Sequence, residues 1–369
     1  MLRARFSRHY RGVAVNEPIG SSRVDHVLLI APEASPARVN TGVRNAPASI
    51  VRKLPDEISA RRLFHPGQPR PAPFPGVILT DVAHSKEVGL APVTTPDLPR
   101  VGEFLSAHLD SGLSPAVWAR SLRPTWTTSH PDHGFLLESE GRVVGVYAAL
   151  YSEADGPDGP SAVCNVAAWC VLDEFRHHSL RLLRAMLAQR DRELTDLSPS
   201  GTVIPLNERL GFQHLDTAGA LVANLPLPSP GVRLLTGRPD IESVLRGADL
   251  AAYRDHAESP AARHVVAVVR GEPCWVVFRA VRRKRLRLFA SVLHVSDRDL
   301  FRVAAPAVYR HVLLTHGLPF TLLQDRVSGP RPWHSVRLPA QRPTMYLSRT
   351  GRPPESVSYL YSELTQVPW

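Results

Sequence analysis

Hydrophobic and polar positions form two successive, similar patterns along the chain. The first is anchored on Ala162–Val171, a run that is apolar except for Asn165. Its length and apolar character predict a strand buried on both faces. A polar turn follows, Asp173-Glu174-Phe175-Arg176-His177-His178. Ser179 then opens a segment in which Leu180, Leu183, Met186 and Leu187 recur at helical spacing. Upstream, Gly89–Val93 predicts a short strand, and Thr95 or Asp97 can cap a helix over Leu98–Leu109. Ser114-Pro115 starts a second helix containing Trp118. Gly134–Glu138 and Val143–Tyr151 flank Glu140-Gly141-Arg142, a hairpin signal. Downstream, Glu193–Leu197 predicts a strand, Ser198–Gly201 a turn, and Val203–Leu210 a short helix stopped by Gly211. Phe212 begins a last strand, expected to pair with Ala220–Leu225.

The pattern then starts again. Val232–Leu235 predicts a strand, and Asp240–Arg246 and Ala251–His256 helical pieces. His264–Val269 and Cys274–Ala280 form a hairpin around Arg270-Gly271-Glu272. Leu286–Val295 predicts a central strand, Asp297–His316 a long helix, and Phe320–Gln324 the next strand. The stretch HGFLLESEGRVVGVYAAL (His133–Leu150) parallels HVVAVVRGEPCWVVFRAV (His264–Val281), so the chain is read as a duplication. The expected units are residues 89–226 and 227–369. Residues 1–88 are rich in proline, arginine and small side chains, with one apolar run at Val27–Ile30 and a strand candidate at Val77–Leu79. That composition struggles to bury a core, and a largely flexible extension, or an over-early start codon, is expected.

Composition narrows the class. With 43% hydrophobic and 21% charged residues over 369 positions, the chain is globular and can bury one large core or two ordinary ones. A net charge of +10 suits a polyanionic partner such as a nucleotide or nucleic acid. Yet only Lys53, Lys86 and Lys284 are lysines. So lopsided an arginine usage reads as coding bias, and nucleic acid is the less favoured partner. Cys164, Cys170 and Cys274 make no disulfide framework and no zinc pattern, so no metal is expected. A reducing, cytoplasmic setting fits, and no apolar run reaches the length of a membrane span.

The candidate chemistry starts at the central turn. Strand, tight basic turn and helix form an arrangement that points free backbone N–H groups at an anion. Arg176, His177, His178 and Arg181 add side-chain donors there. Three stretches carry a family resemblance: the hairpin Gly141–Leu150, the turn VLDEFRHHSLRLL (Val171–Leu183), and NERLGF (Asn207–Phe212). Together they resemble the GNAT superfamily of acyl-CoA-dependent N-acetyltransferases over residues about 89–226, followed by a degenerate second GNAT-like lobe. The resemblance implies an α/β (α+β) fold, a mixed, mostly antiparallel GNAT-type sheet flanked by helices, in two tandem lobes.

It also implies function. The co-substrate would be acetyl-CoA or another acyl-CoA, and the acceptor a small-molecule or peptide amine attacking directly in a ternary complex. The diphosphate would rest on the turn Arg176, His177, His178, Ser179, Leu180 and Arg181. Ser179 and Arg181 stand where the family has glycine and a small residue. Main-chain donors near Cys170 and Val171 would polarise the thioester carbonyl. Ser200 matches a cofactor-contacting asparagine, and Asn207 stands where a tyrosine often protonates the thiolate, a role Asn207 cannot fill.

Glu153 and Asp196, at strand ends, are candidate bases, each competing with a plain loop acid or helix cap. Tyr151 and Ser198 are candidate acids or orienting hydroxyls, with a buried core tyrosine the competing reading of Tyr151. Cys164 and Cys170 share a strand face and read as core residues rather than acyl carriers. The turn after Leu286–Val295 carries Asp297 and Asp299, whose carboxylates would repel a diphosphate, so the second lobe is expected to bind no CoA. Arg282–Arg285 is a basic hairpin tip that could receive RNA or an acidic carrier. Two alternatives stay open: an aminoacyl-tRNA-dependent transferase of paired-lobe type, and a non-catalytic binding protein derived from the same fold.

Overall fold

The computed structural model describes residues 87–154, 161–283 and 286–369. Expectations for residues 1–86, the loop 155–160, and Lys284 and Arg285 lie outside the described residues. The first half runs β1 (Val88–Pro92), a 3-10 turn (Thr95–Asp97), α1 (Leu98–His108), α2 (Pro115–Leu122), β2 (Gly134–Ser139), β3 (Arg142–Ala154) and β4 (Ser161–Val171). A 3-10 helix (Asp173–His178) leads into α3 (Ser179–Ala188). Then come β5 (Arg192–Asp196), α4 (Ile204–Arg209), β6 (Gln213–His214) and β7 (Gly219–Ala223).

The second half repeats this order. It runs β8 (Val232–Leu235), α5 (Arg238–Val244), α6 (Gly247–His256), β9 (Arg263–Val269), β10 (Glu272–Arg283), β11 (Leu286–Val295) and α7 (Arg298–His316). It closes with β12 (Phe320–Gln324), α8 (Asp325–Ser328), β13 (Val336–Leu338), β14 (Met345–Leu347) and α9 (Glu363–Gln366).

Two seven-stranded sheets result, ordered β1-β2-β3-β4-β5-β14-β6 and β8-β9-β10-β11-β12-β7-β13. In each, four antiparallel strands precede one parallel pair, β4/β5 or β11/β12. This is the mixed, mostly antiparallel, helix-flanked architecture in two lobes that the resemblance implied. One expectation fails. The strand after Phe212 does not pair with Ala220–Leu225. Instead β6 pairs with β14, and β7 lies between β12 and β13, so the halves exchange their last strands. Gly219 permits the exchange, because a Cβ there would collide with the Leu323 carbonyl of β12.

Strand alternation decides which helices cover which face. Tyr147, Ala149, Tyr151, Cys164 and Val166 meet Leu182, Leu183 and Met186 of α3. Leu136, Val146, Ala148, Ala168 and Cys170 face Val101, Phe104 and Leu105 of α1 and Trp118 and Leu122 of α2. In the second lobe α7 covers one face through Phe301, Ala304 and Val308, and α5 and α6 cover the other through Ile241 and Tyr253. Not every helix end follows its predicted signal: neither Thr95 nor Asp97 caps α1 with its side chain, and Asp97 instead forms a capping box with Thr94 ahead of the 3-10 turn. Ser114 Oγ accepts from the Val117 N–H at the start of α2, and Gly317, at φ 64°, ends α7.

Sequence patterning gave no hint of the last stretch. After β14 the chain runs back along both sheets. Glu193 accepts from the backbone N–H groups of Arg349 and Thr350, and Arg326 donates to the carbonyls of Pro354 and Val357. Among the described residues, no helix is long and apolar enough to cross a membrane.

Candidate active site

The parallel pairing of β4 with β5 stops early. Asn165 opposite Thr195 is the last pair, yet β4 continues to Val171. Against β3, β4 carries one extra residue, Ala167, between the pairs Ala148/Ala168 and Ala149/Val166. Such a bulge bends the strand and increases its twist. The two strands therefore part, and an open cleft of about 470 Å³ lies between them. Tyr147, Val166, Ala167, Ala168 and Trp169 line one side. Asp196, Ser198, Pro199, Ser200 and Val203 line the other, with Leu109 and Trp369.

The floor of this cleft is polar and buried. Asp196 ends β5, and its Oδ2 accepts from Asn207 Nδ2 at 2.9 Å, while the Ser198 N–H also reaches its carboxyl. The Ser198 hydroxyl donates to Glu363 Oε1 of α9 at 2.8 Å. Glu363 is in turn held by its own N–H, which donates to Asn165 Oδ1 at 2.8 Å. Asn165 is thus the hinge of the gap, tying its last paired position to the C-terminal stretch. Burial pushes Asp196 up to about 7, with the nearby Glu363 carboxylate the second cause. Burial also pushes Glu363 up to about 7. From the second lobe, buried Arg279 donates to the carbonyls of Leu364, Val367 and Trp369. Burial lowers its pKa to about 10, which leaves the guanidinium charged at neutral pH.

The predicted residues separate into three groups. Asp196, Ser198 and Ser200 line the cleft, and Asn207 lies behind Asp196 as its hydrogen-bond donor. Glu153 and Tyr151 are elsewhere. Glu153 is exposed at the far end of β3, where the Ser129 hydroxyl and N–H hold its carboxylate below the usual range. Tyr151 is buried, stacked on His130 at 3.7 Å, and burial raises its hydroxyl pKa. Its core reading prevails. Cys170 faces α1, with Sγ 3.8 Å from the His108 carbonyl, and burial pushes its thiol up to about 12. Cys164, expected to share a face with Cys170, lies on the opposite face against α3, because the extra residue Ala167 shifts the alternation between them, and burial pushes it up to about 12 too. Val171 is half-buried at the end of β4.

The turn is the main correction. Free amides were expected from Arg176 to Leu180. Instead Asp173–His178 is a 3-10 helix that passes without a break into α3, and the Ser179 N–H donates to the Arg176 carbonyl. In such a helix amides point at carbonyls three residues back. Without the family's glycines, nothing opens this turn. Asp173 and Glu174 occupy the first turn, where an anion would otherwise approach. Arg176 pairs with Asp173 at 2.5 Å, and Arg181 Nη1 donates to the Val88 carbonyl at 2.7 Å, toward β1. His177 and His178 hold their rings 4.1 Å apart, and Leu180 is exposed. The segment offers a rim of arginine and histidine side chains rather than a main-chain cradle.

Sequence reasoning missed Tyr147, Glu363 and Arg279. Tyr147 lines the cleft, stacked on Trp169 at 4.8 Å, and burial raises its hydroxyl pKa. Glu363 left a usable signal, being the one charged residue within Tyr359–Val367. A second cavity of about 510 Å³, over the paired part of β4 and β5, holds none of the predicted residues. Among the described residues, no group of histidine, cysteine or carboxylate side chains is placed to hold a metal.

No protein-family model matches the chain, and no curated protein does. Several solved structures are similar. A GCN5-related N-acetyltransferase from Anabaena variabilis is 10% identical over 70% of this chain and 72% of its own, with a TM-score of 0.44. Eis1 from Mycobacterium abscessus is 16% identical over 72% and 74%, with a TM-score of 0.39. N-myristoyltransferase from Saccharomyces cerevisiae, solved with bound myristoyl-CoA, is 10% identical over 76% and 85%, with a TM-score of 0.41. At such identities and scores, nothing is carried from them to individual residues here.

Proposed function

We propose that this chain is a tandem-lobe N-acyltransferase of the GNAT superfamily, transferring an acyl group from an acyl-CoA thioester to an amine in the gap between β4 and β5. The observation that carries this reading is the parting of that parallel pair beyond Asn165, directly over a carboxyl held near neutral pKa. In this role Asp196 accepts the proton that the amine loses on attack. Beyond Asn165, β4 has no partner strand on its β5 side among the described residues, and main-chain donors facing the gap would polarise the thioester carbonyl. Tyr147 offers a hydroxyl within the cleft for the departing thiolate, which Asn207 cannot. The carrier's phosphates would meet the side chains of Arg176, His177 and His178.

A second reading, a non-catalytic binding protein on the same fold, is favoured by one observation: the turn amides are taken by the helix. Acetyl-CoA separates the two. Under the first reading it raises the melting temperature, Arg176→Glu abolishes the rise, and Asp196→Asn lowers turnover on a responsive amine by about 100-fold or more. Thermal stabilisation without turnover across a broad amine panel supports the second reading. No stabilisation by any acyl-CoA overturns the first.

A further inference from the structure

Two carboxyls and one guanidinium are buried together where the lobes meet. Asp196 comes from β5, Glu363 from α9 and Arg279 from β10; all three are buried. The other titratable or charged groups facing them are Tyr147 on β3, which interacts with Asp196, and Arg342, which interacts with Arg279. Ser198 bridges the carboxyls, holding Asp196 through its N–H and Glu363 through its hydroxyl.

The two carboxyls are not equally provided for. Asp196 receives Asn207 Nδ2 and the Ser198 N–H. Glu363 Oε1 receives the Ser198 hydroxyl, and the Asn165 side chain and Arg279 also favour its charged form, but Oε2 is buried with no hydrogen-bond partner among the described residues. A bare charged oxygen in the interior is far more costly than a bare neutral one. Two like charges sharing a dry site also repel, and one of them takes up a proton.

We infer that Asp196 and Glu363 hold a single proton between them, and that Glu363 is thereby the positioning residue whose charge sets where Asp196 gives up its proton as the base of the cleft. The proton sharing stands on the buried groups themselves. Only its consequence for turnover rests on the acyl-transfer reading above.

The sign of the pH dependence follows. The folded chain keeps a carboxyl protonated that is ionised in the unfolded chain. The folded state therefore binds more protons, and stability falls as pH rises from the ordinary carboxyl pKa to about 7 and levels off above it. Glu363→Gln reproduces the neutral side chain without the proton, and Glu363→Asp retains an acid.

The test is melting temperature against pH, from about pH 6 to about pH 8, on the full chain. The parent should lose stability across this range and level off above it. Glu363→Gln should remove at least about half of that loss, and Glu363→Asp should restore it. Asp196→Asn, read the same way, should also flatten the profile. It serves as well should the glutamine variant fail to fold. Where turnover is measurable, the acid limb of kcat/KM should move down by about one pH unit in Glu363→Gln. A loss over this range in Glu363→Gln and Asp196→Asn equal to that of the parent overturns the shared proton, whatever acetyl-CoA does. Flattened profiles with no acyl-CoA response leave the proton pair standing and remove only its catalytic role.

Discussion

The two lobes share one strand order, and their parallel pairs end differently. In the first, β5 finishes on Asp196, and the space beyond Asn165 stays open as a cleft. In the second, pairing ends at Ser291 opposite Leu322, and β12 finishes on Gln324. There Leu293 packs in a buried apolar cluster with Tyr346, Tyr359 and Leu364, and the Tyr359 hydroxyl donates to Gln324 Oε1 at 2.6 Å. The helix starts differ too. Asp297 caps α7 with its own carboxylate, accepting from the Asp299 and Leu300 N–H groups. The first lobe uses a 3-10 run in the same place. A duplicated scaffold thus keeps a polar gap in one copy and fills it in the other, and the filled copy lends Arg279 to the open one.

That loan gives the largest expected effect. Arg279→Met removes the cation opposite Glu363 and leaves three carbonyls of the C-terminal stretch without their donor. Breaking a buried charged network from one side costs about 3–5 kcal/mol. Urea unfolding should show that loss, together with a steeper alkaline decline in stability. A loss below about 1 kcal/mol would mean that the second lobe does not support the first lobe's gap.

The next effect lies at acid pH and belongs to the second lobe. His256 is buried, and His264 and His294 are half-buried, around Trp275 and Tyr361. Burial is the leading cause that lowers them to about 3, about 4 and about 4 respectively. A depressed histidine is neutral in the folded chain and charged in the unfolded one below its ordinary pKa. Its contribution is therefore intact above about pH 6.5 and is lost as pH falls toward its folded value. For His264 the loss amounts to about 3 kcal/mol. His264→Gln should recover part of the stability lost between about pH 6 and about pH 4, and leave the alkaline side unchanged. The two lobes would then respond to pH with opposite sign, the carboxyls losing stability as pH rises toward about 7 and the imidazoles as it falls below about 6.5. An unchanged acid limb in the variant would break that contrast.

These contrasts also mark what could be read from the chain beforehand. Hairpins and helices were legible because alternation and 3.6-residue spacing are local, as in Gly134–Ala154 and Arg298–His316. Asp196 and Ser198 were legible because strand ends are where clefts open. The exchange of β7 and β14 was not, because a short strand such as Met345–Leu347 has the same pattern whichever sheet receives it. The turn misled for a different reason. Its basic residues matched an anion site, but whether amides face outward depends on backbone geometry, and without the glycines the chain closed into a 3-10 helix. Glu363 escaped because its partners Asn165 and Ser198 are far away in sequence, and no local pattern reports a contact of that span.

The smallest effect tests the two helix starts against each other. Asp297 satisfies two amides that would otherwise be bare, so Asp297→Ala should cost about 1 kcal/mol, the usual loss of an N-cap. Arg176 makes an exposed ion pair with Asp173, and such pairs contribute about 0–1 kcal/mol, less in salt. Arg176→Ala should therefore unfold in urea close to the parent, and the small difference should vanish at high ionic strength. A salt-insensitive loss as large as that of Asp297→Ala would make Arg176 a structural brace of the 3-10 segment. Its side chain would then be committed to the fold, and the rim proposed for the carrier's phosphates would lose its first member.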